Sequence, residues 1–225
     1  MAIMKREEIN MPLFSVTLKG DLSLPENAIG IVIFSHGSGS SRFSPRNKMV
    51  GELMQKHGIG TLLFDLLTEE EDRVYENRFD IDLLVGRLIE ATEWLMQYKA
   101  TNSLPLAYFG ASTGAASALR AAAYFGKSIK ALVSRGGRPD LALNTLPMVS
   151  APTLLLVGQM DVPIIKMNKL AFDQLHCIKE MKIIPGATHL FEEPGKLIVV
   201  AGMAIAWFEE YLVKKEDFAA FDSVP

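Results

Sequence analysis

Apolar and polar positions divide the chain into short strands and amphipathic helices. Leu13 to Leu18 alternates around Ser15 and Thr17, and a period of two predicts a half-buried strand. Lys19-Gly20-Asp21 reads as a turn and Leu22-Ser23-Leu24-Pro25 as a short partner strand. This opening hairpin is expected to be antiparallel and at a sheet edge, where Pro25 is tolerated. The pattern then changes. Ile31-Val32-Ile33-Phe34 is apolar without a break, and such runs mark strands buried on both faces. Further strands are expected over Gly60 to Leu66, Pro105 to Phe109, Ile129 to Ser134, Thr153 to Val157 and Ile178 to Ile184.

Between these runs the period lengthens. Ser44-Pro45 opens a helix, with Ser as N-cap and Pro in the first turn, and His57-Gly58 closes it. Ile81, Leu84, Val85, Leu88, Thr92, Leu95 and Met96 trace one helical face. An Ala-rich helix covers Ala115 to Tyr124 and ends at Gly126; others run from Pro163 to about His176 and from Pro194 to about Lys214. Thr68 to Asp80 is acidic and reads as a long exposed loop, Arg135 to Ser150 as a short connection, and Glu216 to Pro225 as a loose tail. Strands alternating with helices require a mostly parallel sheet with helices on both faces. The chain reads as one α/β domain over 1–225, with its core at about 13–211.

Composition narrows the partners. The 225 residues carry a net charge of −3, with no strongly basic stretch, so nucleic acid is not an expected partner. No apolar run is long enough to span a bilayer, so no membrane is expected. Cys177 is the sole cysteine, so no intrachain disulfide can form, which suits a reducing compartment. The first residues lack a signal-peptide pattern, and a cytoplasmic protein is expected.

The chemistry concentrates at Gly110-Ala111-Ser112-Thr113-Gly114, which joins a strand to the Ala-rich helix. A G-x-S-x-G turn there can present a serine nucleophile on a sharp bend. Alone it is a weak signal, because an ordinary loop with a serine helix cap looks the same. A serine nucleophile needs a base, and the base an orienting acid. Two histidines follow Ser112. His176 falls in the last turn of a helix, whereas His189 falls in a loop just after the last strand and is the expected base. Asp161, after the Thr153–Val157 strand, is the expected acid, although it also precedes Val162-Pro163 and so suits a helix cap. Asp140 is the nearest rival. Two backbone N–H groups are needed for a developing oxyanion. The expected donors are Thr113 and Ser38, the latter in His36-Gly37-Ser38-Gly39 after the Ile31–Phe34 strand. Gly37-x-Gly39 also imitates a dinucleotide fingerprint, but Arg42 stands at the third glycine position.

The elbow, the His36-Gly37 loop, Asp161 and His189, in this order, resemble the α/β-hydrolase superfamily, and the compact length resembles its dienelactone-hydrolase-like branch. The runs from His36 to Asn47 and from Ser134 to Leu141 resemble the small hydrolase domains sometimes joined to phosphoribosyltransferases, although no phosphoribosyltransferase segment is found here. The resemblance implies an α/β-hydrolase fold without a lid domain. It also implies a Ser112-Asp161-His189 triad acting on a small-molecule ester or thioester, with no cofactor and no metal. Dienelactone hydrolases proper carry cysteine where this chain has Ser112, so lactone cleavage is not implied. A non-catalytic scaffold or an acyltransferase are the alternatives. Arg42, Arg135 and Arg138, near the strand ends, are candidates for an acidic substrate group, with Met160 as an acyl contact. The competing reading is that these arginines pair with nearby carboxylates.

Overall fold

A computed structural model describes residues 4–213. The expected tail, Glu216 to Pro225, lies outside the described residues. Eight strands form one sheet: β1 (Met4–Pro12), β2 (Thr17–Pro25), β3 (Ile31–Ser35), β4 (Gly60–Phe64), β5 (Leu106–Ala111), β6 (Ile129–Arg135), β7 (Thr153–Gly158) and β8 (Lys179–Ile184). Their order is β1-β2-β4-β3-β5-β6-β7-β8. β1 pairs antiparallel with β2, and β2 with β4; every other pairing is parallel. This is the mostly parallel α/β-hydrolase sheet with an antiparallel hairpin at one edge.

The unbroken apolar runs are explained by two cores. Ile31 and Ile33 of β3 point into one, Val32 and Phe34 into the other. Helices α1 (Pro45–Lys56) and α6 (Lys196–Leu212) cover the second face through Val50, Met54, Val200, Ala204 and Phe208. On the first face lie α3 (Ile81–Gln97), α4 (Thr113–Phe125) and α5 (Val162–Gln174), together with a 3-10 segment, Pro139–Met148, after β6. Among the described residues that segment is the whole excursion after β6, and no lid domain covers the strand ends.

Two expectations are corrected. The hairpin turn lies at 13–16, not at Lys19-Gly20-Asp21, which sits inside β2. The strand β1 was missed because Met4–Pro12 is mostly polar, as an edge strand can be. Gly20 is needed for closeness and not for a turn: a Cβ there would lie 2.9 Å from Leu62 Cδ1 and 3.1 Å from Phe64 Cβ. The acidic stretch is also not a plain loop. It forms the short helix α2 (Glu69–Asp72) and a 3-10 turn, Tyr75–Phe79. A capping box joins Thr68 and Glu71, and Arg87 and Arg78 pair with Glu71 (2.6 Å) and Asp72 (2.8 Å). Asp72 is thus paired from within the stretch and Glu71 from α3.

Gly86 lies in the middle of α3 with open space where a Cβ would go. Gly86→Ala is therefore expected to stabilise the protein by about 0.5–1 kcal/mol, read as a melting midpoint roughly 1–4 °C higher. A lower midpoint would contradict this reading of α3.

Candidate active site

β5 ends at Ala111 and α4 begins at Thr113, leaving Ser112 as the hinge. Its φ of 52° and ψ of −123° are a strained conformation for a residue with a side chain. The flanking glycines make the bend sterically feasible. A Cβ on Gly110 would lie 2.5 Å from Ala115 Cα, and one on Gly114 would collide with Ser35 O. Ser112 occupies the N-cap position of α4 but makes no side-chain cap hydrogen bond, so the ordinary helix-cap reading does not describe it. Backbone bonds fix the bend: Ser112 N–H donates to Arg135 O (3.3 Å), and Arg138 N–H donates to Ser112 O (3.0 Å).

The loop after β3 presses on this bend. A Cβ on Gly37 would lie 3.0 Å from Ser112 Cβ and 3.1 Å from Ala111 O. Ser38 N–H, expected to face a substrate oxygen, donates instead to Thr113 Oγ1 at 2.9 Å. The two expected oxyanion donors are thus tied to each other by one threonine hydroxyl. His36 braces the loop from behind: its ring bonds Gly37 O through Nδ1–H (3.0 Å), and Nε2 accepts Leu66 N–H (3.2 Å). Both ring nitrogens are used, so His36 holds the loop in its neutral form, and burial pushes its pKa down.

At the far side of the strand ends, Asp161 stands at the N-cap of α5 and makes no cap bond. Its Oδ2 lies 2.6 Å from His189 Nδ1. With Nδ1–H donating there, Nε2 is left as the free ring nitrogen. The His189 loop is seated on Gly136, whose φ is +51°; a Cβ there would lie 3.0 Å from His189 O and 3.5 Å from His189 Cε1. Phe191, also at positive φ, is fully buried beneath the loop, so it is a core anchor rather than an exposed pocket wall. Asp140, the rival acid, receives two bonds from Arg138, Nε at 2.9 Å and Nη2 at 2.8 Å. His176 is exposed beyond the end of α5.

The arginines separate. Arg42 is buried and turned towards carboxylates of the hairpin and β4 end: Glu8 and Asp21 at 3.1 Å, and Asp65 at 3.1 Å. It does not face Ser112, because three acids hold it elsewhere. Arg138 is held by Asp140, and Met160 is well exposed beside Asp161. Arg135 is buried with no carboxylate against it. The contacts that sequence reading missed are Thr113 Oγ1, Gly136 and the Arg46–Glu192 pair (2.6 Å). The Gly136-Gly137 doublet was the visible signal for the second; the other two depend on folding. A groove of about 770 Å³ runs beside the loop, lined by His36, Ser40, Phe43 and Leu67. Among the described residues no His, Cys, Asp and Glu group is placed to hold a metal, and no helix is long and apolar enough to cross a membrane.

No protein-family model matches the chain. It is 51% identical to a dienelactone hydrolase from Anabaena variabilis whose crystal structure covers 92% of this chain and 98% of its own, with a TM-score of 0.90. It is 50% identical over 209 residues to a Mycobacterium tuberculosis protein named "Putative phosphoribosyl transferase", matching 93% of this chain. The chain spans about half the length of that relative, 47%. Est1E from Butyrivibrio proteoclasticus shares the fold, with a TM-score of 0.79 at 15% identity over 92% of this chain and 99% of its own.

Two measurements check the site's construction. Gly114→Ala is expected to destabilise by about 3 kcal/mol or more, a fall of roughly 6–12 °C in melting midpoint, because the obstacle is backbone. For His36, burial places the folded pKa below the ordinary 6.5. Its contribution is present above that value and is lost as pH falls through the depressed one, at no more than about 1.4 kcal/mol per pH unit. The stability gap between wild type and His36→Gln should therefore narrow from pH 7.5 to 5 in denaturant titrations. A constant gap would count against a neutral His36.

Proposed function

The chain belongs to the dienelactone hydrolase family of the α/β-hydrolase fold, and from that premise we propose that it is a single-domain serine hydrolase cleaving a small-molecule ester or thioester. The observation that carries this reading is Asp161, which forgoes the helix cap its position offers and bonds His189 at 2.6 Å instead. A carboxylate so used sets the imidazole tautomer and stabilises the imidazolium. The strained Ser112 supports the other end of the triad.

In the proposed cycle, His189 Nε2 takes the Ser112 proton as Oγ attacks the carbonyl carbon. Asp161 holds Nδ1–H. The oxyanion is received by the Thr113 and Ser38 N–H groups, and Ser38 exchanges its bond to Thr113 Oγ1 for the stronger charged acceptor. Collapse of the tetrahedral intermediate breaks the bond to the alcohol or thiol, which leaves with the proton from His189. Water, deprotonated by His189, then attacks the acyl-serine and returns free enzyme and acid. These steps use only groups of the chain. The phosphoribosyl transfer named for the longer relative is not assigned to this site.

Ser112→Ala is expected to lose roughly 10³-fold or more in kcat/KM on an activated ester, and Asp161→Asn roughly 10²–10⁴-fold, with both folded. A fluorophosphonate should label Ser112 in the native protein alone. Undiminished turnover in Ser112→Ala would falsify the assignment, and a folded protein without adduct would favour the scaffold reading.

A further inference from the structure

The buried side of α5 is apolar except at one position. Its buried residues are Ile164, Asn168 and Ala171, a stripe at helical spacing with an amide in the middle. Asn168 is fully buried. Its Nδ2 donates to Ile164 O (2.9 Å), one turn back on α5, and to Gly137 O (3.0 Å), in the loop after β6. The reverse amide orientation would set Oδ1 against two carbonyl oxygens, so the donor end is the one that faces them. Oδ1 itself is buried and finds no hydrogen-bond partner among the described residues. Burying such an acceptor costs about 1–3 kcal/mol, which offsets what the two donated bonds contribute. The amide therefore adds little net stability, and its consequence lies in what Gly137 O belongs to.

Gly137 is the middle of Gly136-Gly137-Arg138, a stretch that touches both halves of the site. Gly136 bears on the base: a Cβ there would lie 3.5 Å from His189 Cε1, the ring carbon between Nδ1 and Nε2. Arg138 bears on the elbow, donating its N–H to Ser112 O (3.0 Å). Gly137 is wedged between them, since a Cβ on it would lie 2.6 Å from Ala115 Cβ of α4 and against Ser134 Oγ. A glycine pair has little backbone stiffness of its own, so contacts from outside fix its course. Gly136 N–H is held by Leu156 O of β7 (2.8 Å), and Gly137 O by Asn168. The helix that supplies Asn168 is the one that carries Asp161 at its N-cap, about two turns earlier.

We propose that Asn168 is a positioning residue of the Ser112 site: by holding Gly137 O from α5, it sets Gly136 under the His189 ring and Arg138 N–H on Ser112 O together. Asp161 orients the imidazole through Nδ1, and Asn168 fixes the backbone on which the same ring rests. One helix thus supports acid, base and elbow. Without the Asn168 bond the glycine pair is free to shift, and the ring shifts with it relative to Ser112. A displacement of about 1 Å between reacting groups costs about 10²-fold in rate. The catalytic consequence rests on the serine-hydrolase reading above; the coupling of α5 to the elbow does not.

The test is Asn168→Leu, which keeps the size of the side chain and removes both bonds, assayed on para-nitrophenyl acetate. Its kcat is expected to fall by about tenfold or more with KM little changed, because a fully buried residue meets no substrate. Thr101→Val is the control. Thr101 is equally enclosed, and its hydroxyl donates to Leu95 O (2.6 Å) ahead of β5, at the end away from Ser112. It should lower the melting midpoint and leave kcat alone. An unchanged kcat in Asn168→Leu, a loss carried by KM alone, or an equal loss in Thr101→Val overturns the proposal. Should Asn168→Leu not fold, Asn168→Thr decides. Its hydroxyl can bond Ile164 O, as Thr92 bonds Leu88 O (2.7 Å) in α3, so the Gly137 bond alone is lost. A fall in kcat there supports the proposal, and an unchanged kcat overturns it. Amide hydrogen exchange gives a readout free of catalysis. Arg138 N–H is expected to exchange about tenfold faster in the Asn168 variant than in wild type, and no faster in Thr101→Val; an unchanged Arg138 rate overturns the proposal. If wild type cleaves no ester, the hydrolase reading fails and exchange at Arg138 alone decides the coupling.

Discussion

The close approach of α4 to the end of β3 is the constraint on which the strand ends depend. Gly114 sits where any side chain would meet Ser35 and His36 carbonyls. That contact is secured by Ser117, whose hydroxyl lies 2.7 Å from Ser35 Oγ and 3.0 Å from Gly114 O. Because the helix starts so near, the chain must turn within Ser112, and the turn places Ser112 at positive φ. Strain of this kind costs about 1–3 kcal/mol and persists only where surrounding packing over-determines it. Here β5 supplies that packing, since Tyr108 and Phe109 are fully buried on opposite faces of the sheet.

From this contact the other parts follow as neighbours. Gly37 can rest on Ser112 because β3 ends beside β5. Ser38 then reaches Thr113, the first residue of α4. On the other side, β6 brings Arg135 and Gly136 against the elbow and the His189 loop, and β7 delivers Asp161. The site is assembled from five loops, yet each is held by backbone contact with a strand end. Such a site is set by the sheet more than by loop conformation.

Much of this was legible because it obeys local rules. Ile31 to Phe34 is apolar on both sides since both faces are covered, and Ser44-Pro45 opens α1 with the Ser44 hydroxyl accepting Asn47 N–H. Asp161 and His189 both follow strands in the sequence, and the fold joins their side chains at 2.6 Å. The hairpin was misplaced because, among its described side chains, β1 buries only Ile9 and Met11 and its first half is charged, while Gly20 offered a turn residue for a reason that only the pairing with β4 reveals. The Ser38–Thr113 bond spans 75 positions in sequence and has no local signal. The same holds for the difference among the arginines, which is a property of what the fold brings near them.

Arg42 and Arg135 make that difference physical. They are the same residue type, at 6% and 7% exposure, Arg42 in the loop between β3 and α1 and Arg135 at the end of β6. Arg42 meets Glu8, Asp21 and Asp65, so its desolvation is offset within the protein and it joins the hairpin to the sheet. Arg135 meets an aromatic ring and another arginine. Replacing a well-paired buried ion is destabilising because its partners are left alone, whereas an ion with no partners carries that penalty already.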